Sequence, residues 1–143
     1  MDSLILENGN RHQLAAALSD DKWVVACLCA AWCGTCNDYQ AGFTAWAEQH
    51  PDICFAWIDI EDQADVVGDL DIVNFPTLLI QRGDIVAFFG TVLPDLRLAD
   101  RLLLAQVEKS DQMLRNEALS STEHKNWQKE CNLRTLLHDA SAS

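Results

Sequence analysis

Basic residues are scarce in this chain of 143: ten Lys and Arg stand against 22 Asp and Glu, a formal charge of −12. So acidic a surface excludes nucleic acid as a partner, because phosphate contact needs a basic face. Long apolar runs are missing as well. The longest, Trp23 to Cys33, has 11 residues, against roughly 18 for a membrane-crossing helix, so no membrane span is expected. With only 6 Gly and 3 Pro the chain has no collagenous or low-complexity character, and 49% hydrophobic beside 22% charged residues fits an ordinary globular protein. Six cysteines are too few to staple a disulfide scaffold, and most are expected to be reduced thiols. The first ten residues carry acids before any base and lack the layout of a secretory signal. A cytoplasmic protein is the expectation.

The charge is unevenly distributed. Residues through Glu108 hold 17 acids and 5 bases, whereas Lys109 to Ser143 holds five of each. This divides the chain into an acidic domain over 1–108 and a neutral helical extension over 109–143, packed on it or projecting from it. Within the first part, Asn8-Gly9-Asn10 signals a turn and Arg11 to Leu18 a short helix, ended by Ser19, Asp20 and Asp21. Trp23 to Cys29 is continuously apolar, the pattern of a strand buried on both faces. After Cys36, the residues Tyr39, Phe43, Trp46 and Ala47 recur at helical spacing until His50-Pro51. Ile53 to Ile60 reads as a second inner strand, Glu61 to Leu70 as an acidic segment with a weak apolar stripe, and Thr77–Ile80 with Ile85–Phe89 as a hairpin. Leu96, Ala99, Leu103, Gln106 and Val107 mark an amphipathic helix with Pro94 in its first turn. Ser120-Ser121-Thr122-Glu123 has capping-box spacing ahead of a further C-terminal helix, with fraying expected from Ala140 to Ser143. The alternation of strands and helices implies an α/β fold, a mixed sheet with helices on both faces.

The chemistry lies in Trp32-Cys33-Gly34-Thr35-Cys36, where a buried strand gives way to a helix. Two thiols three residues apart on a helix's first turn share a face, so a Cys33–Cys36 disulfide needs little backbone movement. Unpaired amides and the positive end of the helix dipole favour a thiolate at Cys33, lowering its pKa below the free value of about 8.5. Cys33 is therefore the candidate nucleophile. Cys36, a turn deeper, resolves the mixed disulfide, and Gly34 lets a partner's backbone approach.

These residues resemble the thioredoxin family, in which a Trp-Cys-Gly-x-Cys motif follows an inner strand and an x-Pro-Thr segment some forty residues later faces it. Here Phe75-Pro76-Thr77 stands at the matching place, and Gly83 and Gly90 fall where that family has glycines. The resemblance covers about residues 5 to 107. It implies the thioredoxin-like fold, a cis peptide before Pro76, and a substrate groove in which Trp32, Gly34, Thr35, Phe75 and Pro76 meet an extended segment of a protein disulfide substrate. It implies an oxidoreductase that needs no cofactor beyond its dithiol and takes electrons from a reductase or small thiols.

Departures from the family pattern carry their own expectations. The family's buried Asp, six residues before the first Cys, is Cys27 here, and its Lys on the adjacent strand is Trp57. Losing both ionisable groups leaves a drier interior beneath the dithiol and puts slow turnover in play. Thr35 replaces the family's usual Pro, from which a less reducing couple is expected, and Ala41 stands where many members kink the helix with Pro. Cys27 and Cys29 face one side of the strand, but a straight buried strand is expected to hold them away from the helix end. They then read as small hydrophobes rather than metal ligands. Cys54 and Cys131 read the same way, with an exposed Cys131 able to form intermolecular disulfides. The six acids from Asp59 to Asp71 read as a solvated helix face or as a steering patch for a basic partner. Trp46 and Trp127 fall on apolar stripes, and the four His pair with no Cys. A binding, redox-sensing or chaperone-like module that uses its dithiol little is the alternative function, and metal carriage the remote one.

Overall fold

The computed structural model of the protein describes residues 4–142 except Asp71 and Val73. Asp71, the last of the six acids, lies outside that set. Five strands form one mixed sheet: β1 (Leu4–Ile5), β2 (Trp23–Cys29), β3 (Cys54–Asp59), β4 (Thr77–Arg82) and β5 (Ile85–Thr91), in the order β1-β3-β2-β4-β5. β1, β3 and β2 run parallel, whereas β4 lies antiparallel to β2, and β5 to β4. The expected central strand is β2. The short β1 is an element the hydrophobic pattern does not reveal, because two residues are too few to show a period.

Alternation along β2 sets up the two halves of the core. Val24, Ala26 and Leu28 point into one layer, built with α1 (Arg11–Ser19), the one-turn α3 (Ala64–Val67) and α7 (Leu133–Ala142). Val25, Cys27 and Cys29 point into the other, built with α2 (Gly34–Glu48) and α4 (Leu96–Val107). Both layers exclude water from β2, which is why that strand has no polar residue. Phe43 of α2 sits at the centre of its layer, edge-on to Trp46, Phe55 and Trp57. Truncating a side chain so buried costs about 3–5 kcal/mol.

β4 and β5 extend beyond their predicted ends and are joined by Gly83-Asp84 alone. Gly83 takes φ +54°, the left-handed backbone this two-residue turn requires, and a Cβ there would meet the Asp21 carboxylate. Pro94 does not occupy the first turn of α4. It precedes Asp95, the N-cap, whose side chain accepts a bond from the Arg97 amide; a β-region N-cap tolerates proline before it because the helix has not yet begun.

The extension beyond Lys109 folds as three helices rather than one: α5 (Asp111–Ala118), α6 (Thr122–Glu130) and α7. Ser110 and Ser121 cap the first two, accepting bonds from the Met113 and His124 amides. α7 is helical through Ala142, past the point where fraying was expected, and Ser143 lies outside the described residues. Cys131, Leu133 and Leu137 join the core cluster of the α1 face. Two polar links tie these helices to the sheet. Gln128 pairs with both backbone groups of Val86, and buried Gln81 donates to the Asn132 side chain and the Gly83 carbonyl while accepting from the Leu133 amide.

Candidate functional site

The loop after β2 brings the Cys-x-x-Cys segment to the start of α2. Cys33 is the N-cap, with extended backbone (φ −85°, ψ 116°); its amide donates to the Ala30 carbonyl and its carbonyl accepts from the Asn37 amide at 3.1 Å. The amides of the α2 first turn, which have no partner within the helix, lie next to this position. Cys33 is half-buried, Gly34 and Thr35 are exposed, and a Cβ built on Gly34 would meet nothing. Open space thus lies over Gly34, next to the first thiol in sequence.

Across from it, the Phe75-Pro76 peptide is cis. Pro76 is buried, and its carbonyl accepts from the Val92 amide at 3.1 Å, anchoring the loop to the strand side of the sheet. Trp32, 69% exposed, stands edge-on to Phe75 with ring centroids 5.6 Å apart. The two rings give the face an apolar pair beside the thiol. Trp32, Cys33, Gly34, Thr35, Phe75 and Pro76 therefore gather at one end of the sheet, and Cys36, at the same end, turns inward.

The pairing of Cys36 departs from the expected arrangement. Cys36 is fully buried and bonded to Cys29, with Cα atoms 5.8 Å apart, and Cys33 is free. The Cys27 sulfur lies 3.7 Å from that of Cys29. The expectation that the strand holds its thiols away from the helix end is corrected by the direction of β2. Its residues 25, 27 and 29 all face α2, and Cys29, at the strand's last position, meets the first inward-facing side chain of that helix. Two signals were available in the sequence, the period of two along the strand and the inward phase of α2.

Cys27 and Trp57, at the positions where the family resemblance places Asp and Lys, are direct neighbours in the β2–β3 register, and both are buried. Burial pushes the Cys27 thiol far above its ordinary pKa. It also raises Tyr39, in the same cluster, with Cys27 and Asp95 adding to the effect; the Tyr39 hydroxyl is buried without a hydrogen-bond partner. The interior below the motif is thus neutral. Cys131 is buried rather than exposed, as is Cys54. Among the described residues no group of three or more His, Cys, Asp or Glu side chains is arranged to hold a metal ion.

Acidic side chains organise the rim. Asp59, at the end of β3, accepts bonds from the Ala31, Glu61 and Asp62 amides, tying the loop before Cys33 to the next strand. Glu61 accepts the Trp32 indole N–H and so fixes the orientation of that ring. The acidic stretch is not wholly solvated, since Arg11 of α1 grips Asp65 with two bonds of 2.9 and 2.7 Å. Trp46, expected as core, is buried, and its indole shares Asp100 with His50. Burial alone would raise the Asp100 carboxyl, but the bonds from Trp46 and His50 outweigh it and hold the group below the usual range. Trp127 packs against Phe88 and His124 in the extension.

The sequence profile of the thioredoxin family matches residues 5–102. The chain belongs to the thioredoxin family. Mouse thioredoxin is 30% identical over 87 residues, covering 60% of this chain and 83% of its own length, and the thioredoxin of Ophiophagus hannah is 34% identical over 78 residues, covering 53% and 74%. Among solved structures, a poplar thioredoxin h superposes with TM-score 0.67 at 20% identity, over 77% of this chain and all of that one. That structure shares the thioredoxin fold, and the family match ends at residue 102, ahead of α5. No helix among the described residues is long and apolar enough to cross a membrane.

Proposed function

We propose that the protein is a thiol-disulfide oxidoreductase acting on protein disulfides, with Cys33 as nucleophile and Cys36 as resolving thiol. One observation carries this reading: of the four free cysteines, three are buried and only Cys33 reaches solvent, at the N-cap of α2 beside the Trp32–Phe75 pair. The Cys33 thiolate attacks one sulfur of the substrate disulfide and the other sulfur leaves as a thiolate. Cys36, as thiolate, then attacks the Cys33 sulfur, releasing the second substrate thiol and leaving a Cys33–Cys36 disulfide. Two electrons from a reductase or small thiols restore the dithiol. Trp32, Gly34, Thr35, Phe75 and Pro76 form the groove for the substrate chain. Neutral Cys27 and Trp57 offer no carboxylate to take the Cys36 proton, so resolution is slow.

Insulin reduction with a dithiol donor tests this reading, along with trapping by Cys36→Ser protein in cell extract. The expected result is activity in wild type, none in Cys33→Ser, and mixed disulfides through Cys33 in the trapping variant. Absence of both activity and trapped partners would refute it. The bond between Cys36 and Cys29 favours a second reading, a thioredoxin-like redox-sensing module with little turnover, since Cys36 cannot resolve a mixed disulfide while so bonded. In that case partners are trapped by wild type itself.

A further inference from the structure

We propose that Cys29 is a second disulfide partner of Cys36, making the site a three-cysteine exchange relay whose rested oxidised form leaves Cys33 as a lone surface thiol. The proposal rests on Cys33 and Cys36 being the reacting pair described above. Cys36 sits between two sulfurs. Cys33 is three residues back on the same helix turn, and Cys29 closes on it from the end of β2 with a Cα separation of 5.8 Å, in the middle of the range a disulfide adopts. The bond is formed in the structure, and no backbone rearrangement is needed to reach it.

The exchange balances without an outside reagent. Starting from a Cys33–Cys36 disulfide, the Cys29 sulfur attacks the Cys36 sulfur. The Cys29–Cys36 bond forms as the Cys33–Cys36 bond breaks, Cys33 leaves as a thiolate, and the proton lost by Cys29 passes to solvent or to Cys33. No electrons are gained or lost. The direction follows from environment. Before exchange the free sulfur is that of Cys29, a polar S–H held 1% exposed in an apolar layer; afterwards the bond is closed inside that layer, as in the structure, and the free sulfur is that of Cys33, half-exposed at the N-cap of α2 where water reaches it. The attack is slow because little water reaches buried Cys29 to take its proton, so substrate resolution by Cys36 precedes it. Once exchange has occurred, Cys33 still attacks a partner disulfide, but the mixed disulfide persists because Cys36 is occupied. The site then holds a partner instead of releasing it until a reductant opens Cys29–Cys36.

Peptide mapping reads the pairing directly. Reduced protein is oxidised with oxidised glutathione over a range of ratios, quenched in acid, blocked with N-ethylmaleimide in denaturant and cut with chymotrypsin. Cleavage after Leu28, Trp32 and Tyr39 places Cys29 in one peptide and Cys33 with Cys36 in another. The expected product is those two peptides joined through Cys29 and Cys36, with Cys33 carrying maleimide or glutathione. An internal Cys33–Cys36 bond with Cys29 alkylated, at every ratio, would overturn the proposal. Cys33→Ser is the second arm: it should still form one intramolecular disulfide, lost again in Cys29→Ala/Cys33→Ser, and a Cys33→Ser protein that keeps all its thiols overturns the relay. Cys29→Ala alone should shift the bond to Cys33–Cys36 and raise insulin turnover several-fold. If Cys29–Cys36 maps as expected yet Cys29→Ala reduces no insulin and traps no partner, the relay stands and the oxidoreductase reading fails.

Discussion

Replacing Gln81 by Met keeps nearly the same volume and removes only the amide, so it isolates the polar junction between the sheet and the C-terminal helices. Gln81 is fully buried. Its side-chain nitrogen donates to the Gly83 carbonyl at 2.8 Å and to the Asn132 side-chain oxygen at 2.7 Å, and its oxygen accepts from the Leu133 amide at 2.8 Å. Asn132 oxygen keeps a bond from the Arg134 amide after the change, whereas the Leu133 N–H and the Gly83 carbonyl lose the partner described here. A buried polar group left without a partner costs about 1–3 kcal/mol, and the methionine recovers little because its volume was already filled. The sum is a loss of about 2–6 kcal/mol, or roughly 8–24 °C in Tm at about 4 °C per kcal/mol for a chain of this size. Urea unfolding followed by tryptophan fluorescence measures it, with an unchanged slope showing that the folded and unfolded states keep their extent. A loss below about 1 kcal/mol would show that these three bonds are not what joins α7 to β4.

Trp32→Ala should leave the urea midpoint almost unmoved, because the ring is largely exposed, while lowering kcat/KM for insulin several-fold through loss of about 0.5–1.5 kcal/mol of aromatic contact at the groove; equal activity would remove Trp32 from the substrate surface. Burial, with Glu130 adding to it, pushes the Cys131 thiol up to about 11. Between about 8.5, where an unfolded thiol ionises, and that value the unfolded chain holds fewer protons than the folded one, so stability falls as pH rises. The urea midpoint of wild type should drop more steeply across that window than that of Cys131→Ala, and parallel profiles would contradict the assignment. Asp59→Ala deprives three loop amides of their acceptor and should cost about 1–3 kcal/mol and speed proteolysis near Ala31; unchanged cleavage would show that the loop is held by other means.

Elements with a long, unambiguous period were legible in the sequence: β2 from its unbroken apolar run, α2 from Tyr39, Phe43 and Trp46, α4 from Ala99 and Leu103. Those that depend on a partner were not. β1 exists because Leu4 and Ile5 pair with Ala56 and Trp57, and nothing within two residues announces a strand. α5 and α6 are short polar helices held by caps and by contact with β5; α5 buries Leu114 alone and α6 buries no residue, too little to mark either as an element. At the site, the positions of Cys33, Trp32, Phe75 and Pro76 followed from the motif and the family resemblance. The bond from Cys36 to Cys29 did not, because treating Cys29 as a small hydrophobe ignored that strand phase and helix phase meet at that corner. The role of Asp59 and Glu61 was hidden inside an acidic stretch, where residue type alone cannot separate a carboxylate that organises a loop from one that faces water.

The two hydrogen bonds between Gln128 and Val86 do more than anchor a helix. β5 is the last strand on its side of the sheet, and a bare border of that kind invites pairing with a stray strand from another chain. One amide side chain, offering a donor and an acceptor to a single residue, imitates a neighbouring strand for one step and occupies the spot where such pairing would start. The terminal helices therefore act as a guard against sheet-to-sheet association, and a chain lacking them faces aggregation even where its redox chemistry is intact.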